Sequence, residues 1–396
     1  MKEGWTYKKL GDIATEMFRG SGIKRDQITI EGTPCVRYGE IYTTYNISFS
    51  ECFSHTNVEF ISSPKYFSHG DLLFAITGES VEDIGKTIAY LGHERCLLGG
   101  DIVCMKHNQN PKYLSYALSS SEAIRQKGIG KTKLKVVHTN IPALSEIRIP
   151  IPSLFEQQRI VSRLDAAFSH IDELKSNAEK QLSEARALFQ KSLAKAMEPT
   201  EGWGERKFKD LCSFVRGPFG GSLKKEMFVV SGYAVYEQQN AIYNRFNFRY
   251  FIDEEKYNSM IRFSVSPGDL IMSCSGTIGK VAIIPDDAAQ GIINQALLKL
   301  TPKKILDKYY LKYLMESSFF GDLISQYSDG AAIKNIASVA ILKDIVLPLP
   351  SLSEQQRIVE RLDALSAHVR ELEENQKKII SECDALKQAL LRKVFE

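Results

Sequence analysis

The stretch that decides the fold is PIPSLFEQQRIVSRLDA at residues 150–166, because it recurs as PLPSLSEQQRIVERLDA at residues 348–364. Fourteen of the seventeen positions are identical, and every matched pair lies 198 residues apart. The chain has 396 residues, so this offset is half of its length. A repeat on this scale indicates two copies of one structural unit.

The repeat extends beyond this stretch. GDLLF from Gly70 recurs as GDLIM from Gly268 at the same offset, and IGKTIAYL from Ile84 resembles IGKVAIIP from Ile278 in a shifted register. The copies therefore diverge by insertions in their loops.

The first 150 residues or so of each copy indicate a mixed α/β domain. DLLFAIT, DLIMSCS and KVAIIP are typical of buried strands. PKYLSYALSSSEAIRQ and DKYYLKYLMESSFFGDLISQY are each predicted to form an amphipathic helix. RFNFRYF at residues 245–251 favours half-buried strand packing, and we interpret Arg37 and Tyr38 in CVRYGEIY in the same way.

The rest of each copy predicts one long helix. Ser153 precedes Glu156, and Ser351 precedes Glu354, by three residues, which is the capping-box pattern of a helix start. Apolar residues then recur at 3-4 spacing, as in a coiled-coil seam. The predicted seam positions are Ile160, Leu164, Ala167, Ile171, Leu174, Ala178, Gln181, Ala185 and Leu188 in the first copy, and Ile358, Leu362, Leu365, Val369, Leu372, Gln376, Ile379, Cys383, Leu386 and Leu390 in the second. A helix buried within its own domain is the alternative, but a length beyond 25 residues disfavours it.

Connectivity predicts how the two helices pair. The first helix runs from the first domain to the second, so the second helix must run back to bury its seam against it. We therefore expect an α+β fold in which two similar mixed α/β domains, 1–152 and 199–350, are joined by two long antiparallel helices, 153–198 and 351–396. These helices form a coiled coil with pseudo-two-fold symmetry.

Composition excludes several classes of protein. No run of 18 apolar residues is present, so a membrane span is not expected, and the polar start argues against secretion. Seven dispersed cysteines without a CxxC pair indicate reduced thiols in the cytoplasm. The net charge of +3 is compatible with nucleic-acid binding but does not identify it.

Motifs of catalysis are absent from the sequence. There is no GxxxxGK[ST] loop, no GxGxxG, no HExxH and no DPPY or NPP[YF] methylase motif, and the seven histidines form no ligand pair. SGTIGK at residues 275–280 is too short for a phosphate loop. We therefore expect no catalytic residue, no metal site and no bound cofactor in this chain, and favour a binding subunit.

IPIPSLFEQQRIVSRLD and LPLPSLSEQQRIVERLD resemble the helical regions of the specificity subunit of type I restriction-modification systems. RGPFGGSLKKEMF, GDLIMSCSGTIGK and INQALLKL resemble a target recognition domain of that family, and RGSGIKRDQ with GDLLFAITGES repeats the pattern less clearly. The resemblance covers essentially the whole chain. It implies a non-catalytic, cytoplasmic DNA-binding subunit in which each recognition domain reads one half of an asymmetric bipartite site.

The resemblance also implies partners. The helices would set the spacing of the domains and dock two methyltransferase subunits, which hold S-adenosylmethionine and methylate adenine. Restriction subunits that translocate DNA would join them, using ATP and Mg²⁺. The partners expected are thus double-stranded DNA and these subunits, with no membrane.

Basic and short polar residues in the loops are the candidate DNA contacts, because basic groups bind phosphates and polar groups on loops between rigid strands can reach base edges. Solvated charges and tight turns are the alternatives. In the first copy the candidates are Arg19, Lys24, Arg25, Thr77, Glu79, Ser80, Lys86, Lys131, Lys133 and Lys135. In the second they are Arg216, Lys224, Lys225, Ser275, Thr277, Lys280, Lys334 and Asn335.

The residues that follow each capping Glu have no evident local role. We therefore predict that they bind a methyltransferase partner or contact the facing lobe: Gln157, Gln158, Arg159, Gln355, Gln356 and Arg357. Ordinary helix solvation is the alternative. A stand-alone two-headed DNA-binding regulator, a fused modification enzyme and a coiled-coil scaffold remain open as other functions.

Overall fold

The computed structural model describes residues 4–130, 136–275, 277–326 and 339–396. The chain divides into two compact units, Met1–Glu179 with Lys377–Glu396, and Lys180–Gln376. Each unit holds one globular part, called lobe one (residues 4–151) or lobe two (residues 204–349), together with a segment of each long helix.

Lobe one is built from short strands and short helices. Its strands are β1 (Thr6–Lys9), β2 (Ala14–Arg19), β3 (Ile28–Thr29), β4 (Thr33–Val36), β5 (Ser48–Phe49), β6 (Ser54–Thr56), β7 (Tyr66–Phe67), β8 (Leu72–Ala75), β9 (Thr77–Gly78), β10 (Thr87–Tyr90), β11 (Cys96–Leu98), β12 (Ile102–His107), β13 (Val137–His138) and β14 (Arg148–Ile151). Its helices are α1 (Leu10–Ile13), α2 (Tyr38–Thr43), α3 (Pro111–Ala117), α4 (Ser121–Lys127) and α5 (Ile141–Ser145), and the long helix α6 (Leu154–Met197) follows.

Lobe two has the same plan. Its strands are β15 (Gly204–Lys207), β16 (Cys212–Arg216), β17 (Tyr233–Tyr236), β18 (Phe251–Ile252), β19 (Leu270–Ser273), β20 (Val281–Ile283), β21 (Gly291–Ile293), β22 (Leu297–Pro302) and β23 (Val346–Leu349). Its helices are α7 (Phe208–Leu211), α8 (Gln238–Tyr243), α9 (Glu254–Ser259), α10 (Lys308–Glu316), α11 (Ser318–Gln326) and α12 (Val339–Asp344), and the long helix α13 (Leu352–Phe395) follows.

The strand order confirms the internal repeat. The order β2-β12-β8-β10 in lobe one is matched by β16-β22-β19-β20 in lobe two. A second sheet in each lobe contains one parallel pair, β4 with β11 and β17 with β21. β8 and β19, which carry the repeated GDL sequences, are buried along their whole length and pair with a strand on both sides. The predicted buried strands in DLLFAIT and DLIMSCS are therefore confirmed, and KVAIIP forms β20, in which Val281 and Ala282 are buried.

The capping serines mark the starts of the long helices. The Ser153 hydroxyl accepts from the backbone N–H of Glu156 at 3.3 Å, and Ser351 does the same for Glu354. Each helix then continues for 44 residues, which is roughly 66 Å.

The long helices run antiparallel within each unit. In the first unit Asp172 pairs with Lys387 and Lys175 with Asp384, so numbers rise on α6 as they fall on α13. In the second unit the amide of Gln376 donates to Gln181 at 2.9 Å and Arg186 pairs with Glu373, in the same sense. The predicted antiparallel pairing is confirmed.

The lobes are anchored on the ends of these helices. Leu164 and Phe168 of α6 and Phe395 of α13 belong to the core of lobe one. In the second unit Leu193 of α6 and Leu362 of α13 enter the core of lobe two. Both helices thus supply residues to both units.

The predicted seam is only partly correct. Five of its large residues are exposed, namely Leu174 (57%), Leu188 (58%), Leu372 (36%), Ile379 (39%) and Leu386 (48%). A single partner helix covers only a narrow stripe, and near the lobes the buried face turns to include Phe168 and Leu193, which the seam prediction omitted.

Three other predictions need correction. Each predicted amphipathic helix of the lobes is a pair of helices, α3 with α4 and α10 with α11, because Ser120 and Ser317 cap a new helix start. RFNFRYF forms a strand only at its end, in β18, and Arg249 instead pairs with Glu237. Tyr38 does not lie in a strand but begins α2 and is 41% exposed.

All seven cysteines are free thiols. No helix in the described ranges is long and apolar enough to cross a membrane.

Candidate nucleic-acid interface

In lobe one the short helix α2 follows strand β4, whose last two residues are buried. Glu40 holds it in place, because its carboxylate accepts from the backbone N–H of Arg37 at 3.1 Å and from the buried hydroxyl of Ser54 at 2.6 Å. The outer side of the helix presents Tyr38 and Gly39, and nothing lies within 4 Å of the position a Cβ would take on Gly39.

Two clefts flank α2 and share Tyr38, Gly39 and Thr43. One, of about 580 Å³, contains Arg25 and Asp101. The other, of about 610 Å³, is lined by Tyr42, Thr77, Gly78, Glu79, Asp83 and Val136. The structure therefore brings three predicted DNA contacts, Arg25, Thr77 and Glu79, next to the same helix.

The glycine-rich loop after β2 packs closely on the chain beside α2. A Cβ on Gly20 would lie 2.1 Å from the carbonyl oxygen of Gly99, so only glycine fits there. Arg19 forms an exposed ion pair with Asp101 at 2.6 Å, and exposed pairs of this kind are weak enough to exchange for a phosphate. Lys24 and Arg25 are exposed.

The remaining candidates of lobe one follow β8 in the chain and do not all lie beside α2. The Thr77 hydroxyl contacts His138 Nδ1 at 3.1 Å, and the Ser80 hydroxyl donates to Asp83 at 2.7 Å. Lys86 points inward, donating to the backbone oxygen of Tyr45 at 3.0 Å, and burial lowers the pKa of its ammonium. Lys86 lines a different cavity, of about 530 Å³, so the structure does not bring it to α2.

Lobe two repeats this loop geometry. A Cβ on Gly217 would lie 1.9 Å from the carbonyl oxygen of Asn294, and the N–H of Asn294 donates to Tyr236 at the end of β17. Arg216 donates to the backbone oxygen of Leu297 at 2.9 Å, so it is partly engaged within the lobe. Lys224 and Lys225 are exposed, and Lys224 lies 3.7 Å from Glu226.

The turn between β19 and β20 holds the other candidates of lobe two. The Ser273 hydroxyl donates to the backbone oxygen of Thr277 at 2.6 Å and accepts from the N–H of Lys280 at 3.0 Å. This bracing leaves the side chains of Ser275, Thr277 and Lys280 exposed. Lys280, unlike its sequence counterpart Lys86, is available to a ligand.

Five predicted contacts lie outside the described residues, namely Lys131, Lys133, Lys135, Lys334 and Asn335. Val136, where description resumes, lines the cleft beside Thr77. Among the residues described, no group of three or more His, Cys, Asp or Glu side chains could hold a metal ion.

A family model described as the type I restriction modification DNA specificity domain matches the chain twice, over residues 2–184 and 200–382. The chain belongs to this family. It is accordingly a DNA sequence-recognition subunit of type I restriction-modification, built from two copies of the specificity domain.

Curated relatives agree with this assignment. The putative type I restriction enzyme MjaX specificity subunit of Methanocaldococcus jannaschii is 25% identical over 388 residues, which span 92% of this chain and 87% of the relative. The EcoBI specificity subunit of Escherichia coli is 23% identical, over 67% of this chain and 61% of its own length.

Solved structures share the fold. A chain from work on complex assembly and conformational transition of the type I R-M system superposes with a TM-score of 0.80 at 19% identity, covering 99% of this chain and 98% of that one. The HsdS subunit of Thermoanaerobacter tengcongensis gives a TM-score of 0.56 at 18% identity, with 100% and 97% covered.

Within this specificity subunit, the prediction that the motif glutamines lack a local role is wrong for Gln157. Its side chain has no exposed surface and joins lobe one to α6: the amide donates to Gln109 and to the Pro152 oxygen, and the carbonyl accepts from the N–H of Asn110. These contacts leave it unavailable to a partner.

Gln355 likewise joins lobe two to α13. Its side chain is also fully buried, donating to the backbone oxygens of Ile305 and Pro350 and accepting from the N–H of Asp307. Like Gln157, it therefore has a local structural role that sequence reasoning did not assign to it.

The other motif residues remain predicted partner contacts. Gln158, Arg159, Gln356 and Arg357 are exposed. The two arginines pair with Glu156 and Glu354 on their own helices.

Sequence reasoning missed the tyrosines that fasten each lobe to its long helix. Tyr116 donates to Asp165 at 2.8 Å, where Lys112 also pairs at 2.6 Å, and Tyr313 donates to Asp363 at 2.6 Å. Asp165 and Asp363 lie in the repeated RLDA, so the repeat itself contained the signal.

Proposed function

We propose that each lobe reads one half of an asymmetric, split DNA site and that the long helices set the gap between the halves. The observation that carries this is the shared strand order of lobes whose flanking loops differ: Arg19 donates to the backbone oxygen of Gly100 and also pairs with Asp101, whereas Arg216 donates to the backbone oxygen of Leu297. Two readers with one framework and different loops suit two different half-sites.

Basic residues at the loop edges would bind phosphates and position each lobe, while polar side chains between them would read base edges. The candidates fit this division: exposed Lys24, Arg25, Lys224 and Lys225 for phosphates, and half-buried Thr77 with exposed Ser275 and Thr277 for bases. Affinity should therefore fall steeply with salt.

The long helices would also dock two methyltransferase subunits. Exposed aliphatic side chains support this, since Leu188 and Leu372 line an open groove of about 590 Å³ in the second unit together with Ala185 and Val369. S-adenosylmethionine would be held by those subunits, and ATP and Mg²⁺ by restriction subunits that join them. This chain would act in the cytoplasm and supply specificity without catalysing a step.

The test is to express the chain with a candidate methyltransferase in a methylation-deficient host and to map modified adenines by long-read sequencing. A split, asymmetric motif that depends on this chain is the expected result. Exchanging residues 200–347 for those of another specificity subunit should change one half of the motif alone. A folded, bound methyltransferase whose modification ignores this chain would leave a stand-alone DNA-binding regulator or a scaffold as the function.

A further inference from the structure

The two lobes display a short helix at the same structural position. α2 follows β4 and α8 follows β17, and each of these strands pairs in parallel with an equivalent strand, β11 or β21. In both helices the third residue fixes the start. Glu40 accepts from the N–H of Arg37, and Asn240 accepts from the N–H of Glu237 at 2.7 Å.

The inward residues of these helices share one role, whereas the outward ones differ in chemistry. Glu40 and Ile41 are buried in α2, as are Asn240 and Ala241 in α8. The positions that are not buried are Tyr38, Gly39, Tyr42 and Thr43 in α2, against Gln238, Gln239, Ile242 and Tyr243 in α8. A fixed backbone with exchanged side chains is what two readers of different base sequences require.

The approach to α2 is open on both sides. The clefts of about 580 and 610 Å³ make the helix a ridge with Arg25 on one flank and Thr77 and Glu79 on the other. A ridge of this kind can enter the major groove, which admits a helix, while flanking basic groups meet the phosphates.

In α8, the side-chain oxygen of Gln238 is an unsatisfied hydrogen-bond acceptor: it is buried and has no hydrogen-bond partner among the residues that the structure describes. Turning the amide outward therefore breaks no bond at this oxygen, and a ligand donor would supply the missing one.

The neighbouring charge in α8 does not oppose DNA. Arg249 forms two hydrogen bonds to the carboxylate of Glu237, at 3.0 and 2.8 Å, and so neutralises it. A glutamine amide pairs with adenine by accepting from N6 and donating to N7. Gln238 therefore has the chemistry for this contact.

We propose that the side chains of α2 and α8 that are not buried in the lobes read base edges, with Gln238, its amide turned outward, the adenine-reading residue of lobe two and Tyr38 a base contact of lobe one. This inference rests on the proposed function, because it takes the ligand to be a split site in double-stranded DNA.

The test compares methylation motifs of the full chain, co-expressed with its methyltransferase, for the wild type, Gln238→Met and Tyr38→Ala. Gln238→Met keeps the side-chain length but removes the amide. It should lower the preference for adenine at one position of one half-motif by roughly 5- to 100-fold. Tyr38→Ala should relax a position in the other half alone, and Glu255→Ala on α9 should leave both halves unchanged.

The outcomes separate the two proposals. A wild-type complex that methylates without a split motif overturns the proposed function, and the inference with it. A wild-type split motif that Gln238→Met leaves intact at every position overturns the inference alone. If Gln238→Met abolishes methylation, the melting temperature of the purified chain shows whether the variant has lost stability or only base reading. A fall assigns Gln238 a structural role and contradicts the proposal, whereas an unchanged or raised value supports base reading.

Discussion

At the scale of single residues, two adjacent glutamines have opposite roles. Gln157→Ala would leave the half-buried N–H of Asn110 and the buried oxygen of Pro152 without their partners, so the free energy of unfolding of the first unit should fall by about 2 kcal/mol. Gln158→Ala removes one exposed contact to Asn110 and should change the free energy of unfolding by less than about 0.5 kcal/mol.

Urea unfolding measures this difference. The chain has two tryptophans, and Trp5 packs against the core of lobe one while Trp203 packs against that of lobe two. In a Trp203→Phe background the fluorescence of Trp5 reports on the first unit. Equal effects of the two alanine variants would contradict the buried role of Gln157.

A buried lysine gives the first unit a dependence on pH. The Lys127 ammonium is enclosed, donating to the Thr87 hydroxyl at 3.1 Å and the Leu118 oxygen at 2.8 Å, and burial lowers its pKa from 10.5 to about 7. Between pH 7 and pH 10.5 the Lys127 side chain therefore holds a proton in the unfolded chain that it lacks in the folded chain. The free energy of unfolding therefore rises with pH, by up to about 1.4 kcal/mol per unit.

Lys127→Met removes this proton linkage. From pH 7 to 9.5 the wild type should gain stability relative to Lys127→Met, measured by urea unfolding with Trp5 fluorescence. Parallel stability curves for the two proteins would show that Lys127 keeps its ordinary pKa in the folded chain.

At the scale of elements, the sequence predicts the long helices better than it predicts what they bury. The capping serines and the heptad spacing locate both helices, because capping is a local interaction. Which apolar residues are covered depends on partners distant in sequence, and so Leu174 and Leu386 are exposed although they share the spacing of buried Ile171 and Cys383.

The same reasoning explains the errors in the lobes. Tyr38 follows a strand-like run, and only the capping contact of Glu40 turns the chain into α2. The burial of Gln157 depends on Asn110, which lies 47 residues earlier and falls outside any local pattern. Residues that join elements are therefore harder to predict than those that begin them.

The exposed aliphatic groove on the long helices predicts a docking surface. Leu188→Asp should reduce the methyltransferase that copurifies with the chain, since it places a charge in an apolar contact. Its effect on unfolding should stay near 0.5 kcal/mol, because Leu188 is 58% exposed.

Ala187→Asp introduces the same charge at the neighbouring exposed position and is the matched control for Leu188→Asp. Pull-down yield and urea midpoints measure both variants. Unchanged copurification with Leu188→Asp would remove this groove from the docking surface.

At the scale of the whole molecule, each unit is assembled from chain segments of both halves. Leu391 and Phe395 complete the core that contains Leu164, and Leu193 and Met197 complete the core that contains Leu362. Cutting the chain between residues 200 and 201 would separate the sequence repeats but would leave both of these shared cores available for reassembly.

We therefore predict that fragments 1–200 and 201–396, expressed together, associate and direct the same methylation motif as the intact chain. A fragment ending at residue 151 lacks α6 and with it Leu164, Leu193 and Met197, so it should not copurify with 201–396. Size-exclusion chromatography and methylation mapping check both statements. Folded fragments that stay apart would mean that covalent connection, and not the shared cores, holds the two halves of the sequence together.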